Sequence, residues 1–495
     1  MAFSIKNFFS KEASGEGNVP NRELFNFATG LTGQNIAYSF QSGWLNYFCV
    51  NLLHIDSRKV GSIFFASQFW DAVNDPVIGS FIDRHRFKSG EKLRPFLLYT
   101  PPIIGALTAL MFLQVPFNST GRLFYILLLY LIWDFIYSVE DVALWGLVAV
   151  ASPNSDERGR VAQWVSIGAG AGGTIAGAFS FIRDMLLGAG LEDRYIFMIF
   201  AVLFGLGGQL LAMRAHKVKE RVRSAPAKKG EESLRETLSM LFKNKKLLII
   251  SIARFLGNTF PKVGAIYFFE NCMSLKIGSI EIGGGMMNTV FPLLAGIPGA
   301  AAIFFANKIA IRIGGMKRLL IVAKVMETAC RVLSFIIGLN GGYNTPWKLV
   351  LILLLHAAMN IPCSMMDIGH RALTSDGIDE LELKTGKRSE GVAFSTQNFV
   401  SKMNNGVTSL IEGFVLSALG YDSKLKDAGK PQSAKFLKWQ WPLYVLSPAI
   451  GSLLYVIAIS FLKDDRNMQA EISRQLIARR EAQAESEPVA VTSGE

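Results

Sequence analysis

Charged residues are scarce in this sequence, and cysteine and histidine are scarcer still. Only 18% of the 495 residues are charged, against 50% that are hydrophobic, and the mean hydropathy is +0.31. This composition is too apolar for an ordinary soluble protein. The four cysteines and five histidines show neither a disulfide framework nor metal-ligand spacing. We therefore predict a membrane protein that is not an enzyme and that needs no cofactor.

Apolar stretches long enough to cross a bilayer recur along the chain. Each has about 20 residues, the length that the bilayer core requires of a helix. We predict an all-α membrane protein with twelve transmembrane helices in two pseudo-symmetric six-helix bundles. The predicted helices are 24–53, 60–83, 95–115, 122–150, 161–186, 194–213, 247–272, 282–311, 318–339, 347–372, 390–419 and 440–462. The predicted domains are an N-terminal bundle (1–213), a basic connector (214–246), a C-terminal bundle (247–462) and a tail (463–495).

The net charge of +12 is distributed in a way that indicates membrane orientation. Lysine and arginine are concentrated in alternate loops. By the positive-inside rule this pattern indicates which loops are cytoplasmic, and it does not point to a nucleic-acid partner. We expect a monomer in the plasma membrane, with both termini and the connector in the cytoplasm. The first helix should direct insertion, because no cleavable signal precedes it. The segment 424–438 departs from the pattern, since its five lysines fall in a loop counted as external.

A group of polar side chains interrupts the second predicted helix. Asp71, Asn74 and Asp75 lie at positions i, i+3 and i+4, so all three face one side of the helix. A lone charge near the membrane centre costs about 2.5–3.5 kcal/mol on insertion scales, and such carboxylates normally bind something cationic. The spacing therefore predicts a site for a monovalent cation. Oxygen ligands do not choose among sodium, which we favour, lithium and the proton.

The fourth predicted helix carries a polar and aromatic stripe. Asp134, Ser138, Asp141 and Trp145 share one face. One interpretation is a buried polar seam between helices. The other is a ligand cavity, in which the indole ring stacks on a sugar and carboxylates accept its hydroxyl groups.

Lys402 lies deep in the eleventh predicted helix. An ammonium group inside the membrane needs a carboxylate partner, for which Asp71, Asp75 and Asp141 are candidates. The alternative is that the side chain extends to the membrane surface.

Two further helices carry cations. In helix nine, Glu327 and Arg331 lie at i and i+4, which predicts an ion pair within the helix. In helix seven, Arg254, Asn258 and Lys262 form a stripe that suits an anionic substrate, unless Arg254 reaches cytoplasmic water. The sequence leaves this choice open.

Charged loops on the cytoplasmic side suggest a gate. Acidic residues between helices ten and eleven, among them Asp376 and Asp379, can pair with arginines of the first half and hold one conformation closed. The alternative is a solvated surface, because exposed ion pairs contribute little. The arginines are Arg84, Arg158 and Arg160.

With these residues in view, the sequence resembles the glycoside–pentoside–hexuronide:cation symporters of the major facilitator superfamily. The most specific motif runs from Trp70 to Pro76 (WDAVNDP) and is followed by a basic loop ending at Pro95. The resemblance implies that Asp71, Asn74 and Asp75 hold the coupling cation. It further assigns Ser138 to the cation, and Asp141, Trp145 and Lys402 to the sugar site or its surroundings.

Three positions depart from the melibiose permease of that family. Asn35 replaces a sugar-binding aspartate, Ser166 an arginine and Asp367 a tryptophan. The resemblance thus implies a retained cation site and a rebuilt substrate site, to which Asn35 and Asp367 would contribute. We expect a small-molecule substrate, a glycoside or related sugar, carried by alternating access. The alternative is a lysolipid or another amphiphile on the same fold.

Overall fold

The computed structural model describes residues 18–84, 87, 91–152, 155–221, 244–260, 264–277, 280–385, 390–428, 430–462, 471–472 and 474–475. Most of the connector and of the tail predicted from the sequence therefore lies outside the described residues. So do Lys262 and the side chains of Asp75 and Arg84.

The first part of the chain folds into helices that match the predicted positions. They are α1 (Asn21–Asn51), α2 (Ser57–Arg84), α3 (Phe96–Met111), α4 (Ser119–Val150), α5 (Ser155–Gly177), α6 (Phe179–Gly188), α7 (Asp193–Phe200) and α8 (Gly208–Ala212). A π-helical segment, Ala201–Gly207, joins α7 to α8, and a 3₁₀ turn, Met213–Lys217, follows.

The second part has shorter helices and one hairpin. The helices are α9 (Lys245–Asn258), α10 (Ala265–Cys272), α11 (Gly284–Ala302), α12 (Ala306–Ile313), α13 (Met316–Gly338), α14 (Pro346–Cys363), α15 (Met366–Thr385), α16 (Glu390–Ala418), α17 (Ser423–Asp427) and α18 (Ala434–Ser460). Strands β1 (Leu275–Ile277) and β2 (Ile280–Ile282) pair antiparallel, with Leu275 opposite Ile282. 3₁₀ turns occur at Ile303–Phe305 and Leu339–Asn344.

Described helices overlap all twelve predicted ranges, but several ranges contain a break that was not predicted. Gly264, at φ +74, precedes α10 in a left-handed conformation that favours glycine. Pro362 lies at the end of α14, where it cannot continue the backbone hydrogen-bond ladder. By length and composition, five described stretches can cross a membrane: Ser119–Val148, Arg160–Gly188, Asp193–Lys217, Pro346–Leu383 and Ala434–Ser460.

The structure divides into two compact units. The first comprises Met1–Glu231, Gly264–Phe291 and Asn405–Gln440, and the second comprises Glu232–Val263, Pro292–Asn404 and Trp441–Glu495. These units interleave along the chain, whereas the predicted bundles are consecutive. The predicted domain boundaries stay a prediction.

Each unit has its own apolar core. In the first unit, aromatic side chains of α1, α4, α6, α7 and the π-helical segment pack together with Phe112, which follows α3; Phe40 and Phe197 are among them. In the second unit, Ile250, Leu320 and Tyr455 join α9, α13 and α18.

The loop before α3 is bound to the segment that follows the sixth predicted helix. The carboxylate of Glu220 accepts hydrogen bonds from the backbone N–H groups of Lys92, Leu93 and Arg94, at 2.7–3.2 Å. Arg94 in turn donates to the carbonyl of His216. The basic motif that ends at Pro95 thus has a structural partner in this unit.

Helices α1 and α5 meet through glycine. A Cβ atom on Gly168 would lie 2.1 Å from the carbonyl oxygen of Ala28, and one on Gly172 would lie 2.4 Å from that of Thr32. Only glycine permits backbones to approach this closely. Gly170, between them, has nothing within 4 Å of its would-be Cβ.

This contact predicts different effects for two similar substitutions. Gly168→Ala should destabilise the protein by about 1–3 kcal/mol, because the added methyl group has no room. Gly170→Ala is the matched control, since both changes gain the same helix propensity, about 0.5–1 kcal/mol. Thermal unfolding of the purified proteins measures the difference. Equal midpoints for the two variants would contradict the close contact.

Candidate cation and substrate sites

Asp71 and Ser138 meet inside the first unit. The α2 carboxylate and the α4 hydroxyl are buried, at 5% and 7% exposure, and Ser138 Oγ donates to Asp71 Oδ1 over 3.3 Å. The two residues are far apart in sequence, so the packing of α2 against α4 brings them together. A carboxylate and a hydroxyl at this separation can both offer an oxygen to a cation.

Asn74 adds an unsatisfied polar group one turn along α2. Its side chain is 7% exposed, and its Nδ2 has no hydrogen-bond partner among the described residues. Buried amide groups are normally paired, and an orphan marks a place where a partner is missing. The amide carries an oxygen as well as a nitrogen, so a rotated Asn74 can offer its oxygen to a cation.

The chemistry of this residue set fits a hard cation. Such ions prefer carboxylate, carbonyl and water oxygens over nitrogen or sulfur. Oxygen ligands of an ion such as Ca²⁺ lie about 2.3–2.6 Å from it, and the Asp71 and Ser138 oxygens, 3.3 Å apart, can both reach an ion of that kind. Across the described ranges, no group of three or more His, Cys, Asp and Glu side chains could hold a metal ion. The set predicted here contains only two carboxylates, one of them outside the described side chains.

Asp141 belongs to a hydrogen-bond network that the sequence did not reveal. Gln34 on α1 is 2% exposed, and its Nε2 donates to Asp141 Oδ1 at 2.9 Å and to the Tyr137 hydroxyl at 3.0 Å. Its Oε1 accepts from Asn35 Nδ2 at 3.0 Å. Gln34 therefore links Asn35 and Asp141, two residues predicted to contact substrate.

An aromatic stack lies beside this network. Tyr137 stacks on Trp133, with ring centroids 4.8 Å apart, and on Tyr38, 5.1 Å away. Trp145, predicted to stack on a sugar, is 48% exposed. The indole ring is thus open to a ligand or to lipid, while Asp134 and Ser138 at the other end of the stripe are buried.

A second residue that sequence reasoning missed is Arg183. Its guanidinium is 3% exposed and binds Asp193 through two hydrogen bonds, at 2.5 and 2.6 Å, and Glu270 at 2.5 Å. The Tyr47 hydroxyl completes the group by donating to Glu270 at 2.6 Å. An arginine inside the apolar range 161–186 was the available signal, because an intramembrane charge calls for a partner.

The remaining predicted site residues are placed separately. Arg158 donates to the carbonyl of Ser152 in the first unit at 3.2 Å. In the second unit, Lys402 is partly buried, and Asp376 lies 3.8 Å from Lys246 Nζ. Asp379 belongs to the same unit. The predicted gate and the carboxylate partner of Lys402 stay predictions.

The predicted ion pair of helix nine is confirmed, and it is larger than expected. Glu327 accepts from Arg331 Nε at 3.0 Å, from Lys324 Nζ at 2.8 Å and from the Ser452 hydroxyl at 2.8 Å. Lys324, Glu327 and Arg331 border a cavity of about 300 Å³ in the second unit. The cavity lining also includes Arg254, Asn258, Met359, Asn360, Cys363, Met366, Asp367 and His370.

The fold resembles that of solved membrane transporters. A crystal structure of the nucleoside transporter NupG matches with a TM-score of 0.56 at 16% identity, and the match covers 89% of this chain and 100% of that chain. A likeness at this level of identity concerns the fold alone. Together with the apolar helices, it indicates a multi-pass membrane protein.

The chain belongs to the MFS/sugar transport protein family, whose model matches residues 26–466. One relative is a candidate glycoside/cation symporter, YagG of Escherichia coli strain K12, 24% identical over 95% of this chain and 98% of its own. Another, from Salmonella typhimurium strain LT2, is named as a candidate 2,3-dihydroxypropane-1-sulfonate exporter; it is 25% identical over 93% of this chain and 97% of its own. Membership confirms the resemblance and the predicted fold class, and it makes the protein a transporter rather than an enzyme.

The Gln34 network predicts a measurable stability effect. Gln34→Leu removes the buried donor that serves Asp141 and Tyr137, and losing such a hydrogen-bond partner costs about 1–3 kcal/mol. Gln114→Leu is the control, because Gln114 is exposed and its amide donates to the carbonyl of Leu52. Thermal unfolding midpoints should fall for the first variant much more than for the second. An unchanged midpoint for Gln34→Leu would show that the network does not stabilise the folded protein.

Proposed function

We propose that this protein is a cation-coupled secondary transporter of a glycoside or a related sugar derivative, working by alternating access. The observation that carries the proposal is the buried Asp71–Ser138 pair beside the orphan amide of Asn74. An ionised carboxylate in an apolar bundle is costly unless a cation neutralises it. The glycoside/cation symporter named among the relatives supports the same conclusion.

Helix α4 gives the proposed coupling between cation and substrate a physical basis. Ser138 and Asp141 lie three residues apart on this helix, so the cation oxygen and the substrate carboxylate move together. A cation that fixes Ser138 against Asp71 also fixes the position from which Asp141 meets a sugar. Under linkage, each ligand then raises the affinity for the other by the same factor.

The remaining parts of the proposal concern orientation and assembly. We place the protein in the plasma membrane as a monomer, with both termini in the cytoplasm, on the strength of the loop charges. Sodium is the cation that we favour, with lithium and the proton as alternatives. The sulfonate named for the Salmonella relative adds sulfonated polyols to the substrates worth testing.

The first test of this function removes the charge of the cation site. Asp71→Asn should abolish accumulation of substrate against its gradient in proteoliposomes, because the driving cation loses its charged ligand. Exchange of labelled substrate across the membrane should survive. The measurement is uptake of labelled sugars with an imposed sodium, lithium or proton gradient.

Asp56→Asn is the matched control for this experiment. Asp56 is exposed and pairs with Arg58, so it offers the same chemical change outside the site. We expect normal accumulation by this variant. Concentrative uptake by Asp71→Asn would contradict the proposed cation site.

A second test separates a sugar from an amphiphile. Asp141→Ala should weaken binding of a glycoside about tenfold or more, because one buried hydrogen-bond partner is worth about 1–3 kcal/mol. Trp145→Phe should be milder than Trp145→Ala, since the smaller ring still stacks. Affinities for a glycoside panel and for lysolipids of increasing chain length give the measurement. The sugar proposal would be wrong, and a lipid substrate favoured, if affinity rose with chain length by about 0.8 kcal/mol per methylene and did not change in Asp141→Ala.

A further inference from the structure

The cavity of the second unit has an excess of positive charge. Its lining contains three cations, Arg254, Lys324 and Arg331, and two carboxylates, Glu327 and Asp367. Lys324 and Arg331 share the single carboxylate of Glu327, with Glu327 and Lys324 at 7% and 6% exposure. Asp367 is exposed and forms no ion pair with these cations among the described residues. The lining therefore has one more positive than negative side chain.

Arg254 is the cation of the lining that makes no direct ion pair among the described residues. Its Nη1 donates to the amide oxygen of Gln397 at 3.1 Å, which is a neutral acceptor, and the carboxylate of Asp367 attracts it from beyond ion-pair distance. Gln397 is 4% exposed and is itself held by a hydrogen bond to Ser251 at 2.8 Å. The guanidinium is thus positioned by a neutral group, with donors left for a ligand. A guanidinium presents five donors in a planar fork that matches a carboxylate or sulfonate group.

A second buried group in the lining lacks a partner. His370 is 6% exposed, and its Nε2 lies 2.7 Å from the Tyr455 hydroxyl. Its Nδ1 has no hydrogen-bond partner among the residues that the structure describes. With the hydroxyl donating to Nε2, Nδ1 carries a proton and is a further donor. The cavity volume, about 300 Å³, lies at the small end of the range for ligand pockets.

From these observations we infer that the cavity of α9, α13, α14 and α15 binds the anionic group of a small polar substrate, a carboxylate or a sulfonate, with Arg254 as its principal partner. This inference rests on the proposed function and narrows it from sugars in general to acidic ones. It also favours one of the two interpretations given for Arg254 in the seventh predicted helix, which corresponds to α9: contact with an anionic substrate rather than with cytoplasmic water. Glu327 in the same lining is already paired with Lys324 and Arg331. The anionic group of the substrate would therefore supply the negative charge that the lining lacks.

The test compares acids with their neutral counterparts on the purified full-length protein. The probes are D-glucuronate against D-glucose, 2,3-dihydroxypropane-1-sulfonate against glycerol, and lysophosphatidylglycerol as a lipid source of negative charge. Isothermal titration should show that a small acid binds wild type at least tenfold more tightly than its neutral partner. Arg254→Gln should remove this preference, and Arg254→Lys should keep most of it. Arg312→Gln, a change at an exposed arginine of the same unit, should leave it intact.

Each outcome has a distinct meaning. Equal binding of acid and neutral probes by wild type, no binding of any small acid, or a preference that survives Arg254→Gln overturns the inference. An anionic preference confined to the lysolipid overturns it as well. Concentrative uptake of neutral sugars without acid preference would leave the proposed transport function standing alone. Arg254-dependent acid binding without any effect of a cation gradient would retain the anion site and refute the cation coupling.

Discussion

The hydrogen bond from Ser138 to the buried carboxylate of Asp71 is the interaction on which the proposed transport depends. It joins a carboxylate of α2 to a hydroxyl of α4, and hydrocarbon surroundings penalise an uncompensated charge. We propose that a cation bound at this carboxylate stabilises one conformation more than the other, and this difference supplies the free energy that coupling requires.

The same constraint explains the other charged groups of the structure. Arg183 is balanced by Asp193 and Glu270, and Glu327 is balanced by Lys324 and Arg331. Buried ion pairs of this kind tolerate burial because their hydrogen-bonding capacity is nearly filled. Arg254 differs, since its hydrogen-bond partner is the neutral side chain of Gln397. We propose that a charged ligand binds beside this guanidinium.

The sequence predicted what depends on composition and local spacing. Apolar stretches located the helices, and the i, i+4 spacing correctly predicted the pairing of Glu327 with Arg331. The sequence could not predict contacts between distant segments. Gln34 is hydrogen-bonded to Asp141, 107 positions away, and Arg254 to Gln397, 143 positions away. Periodicity gives the face on which a side chain lies but not the helix that it faces. Helix breaks such as the end of α9 at Asn258 were not predicted either, because mean hydropathy over a long range does not show where a helix ends.

The central claim is that Asp71 is the charged ligand of a coupling cation, and the most direct measurement is the response of thermal stability to that cation. A ligand that binds only the folded protein raises the unfolding midpoint as its concentration rises. At constant ionic strength, replacing choline with sodium or lithium, or lowering the pH, should raise the midpoint of wild type. The account predicts that Asp71→Asn loses this response to the effective cation while Asp56→Asn keeps it. The same rise in Asp71→Asn as in wild type would contradict the account.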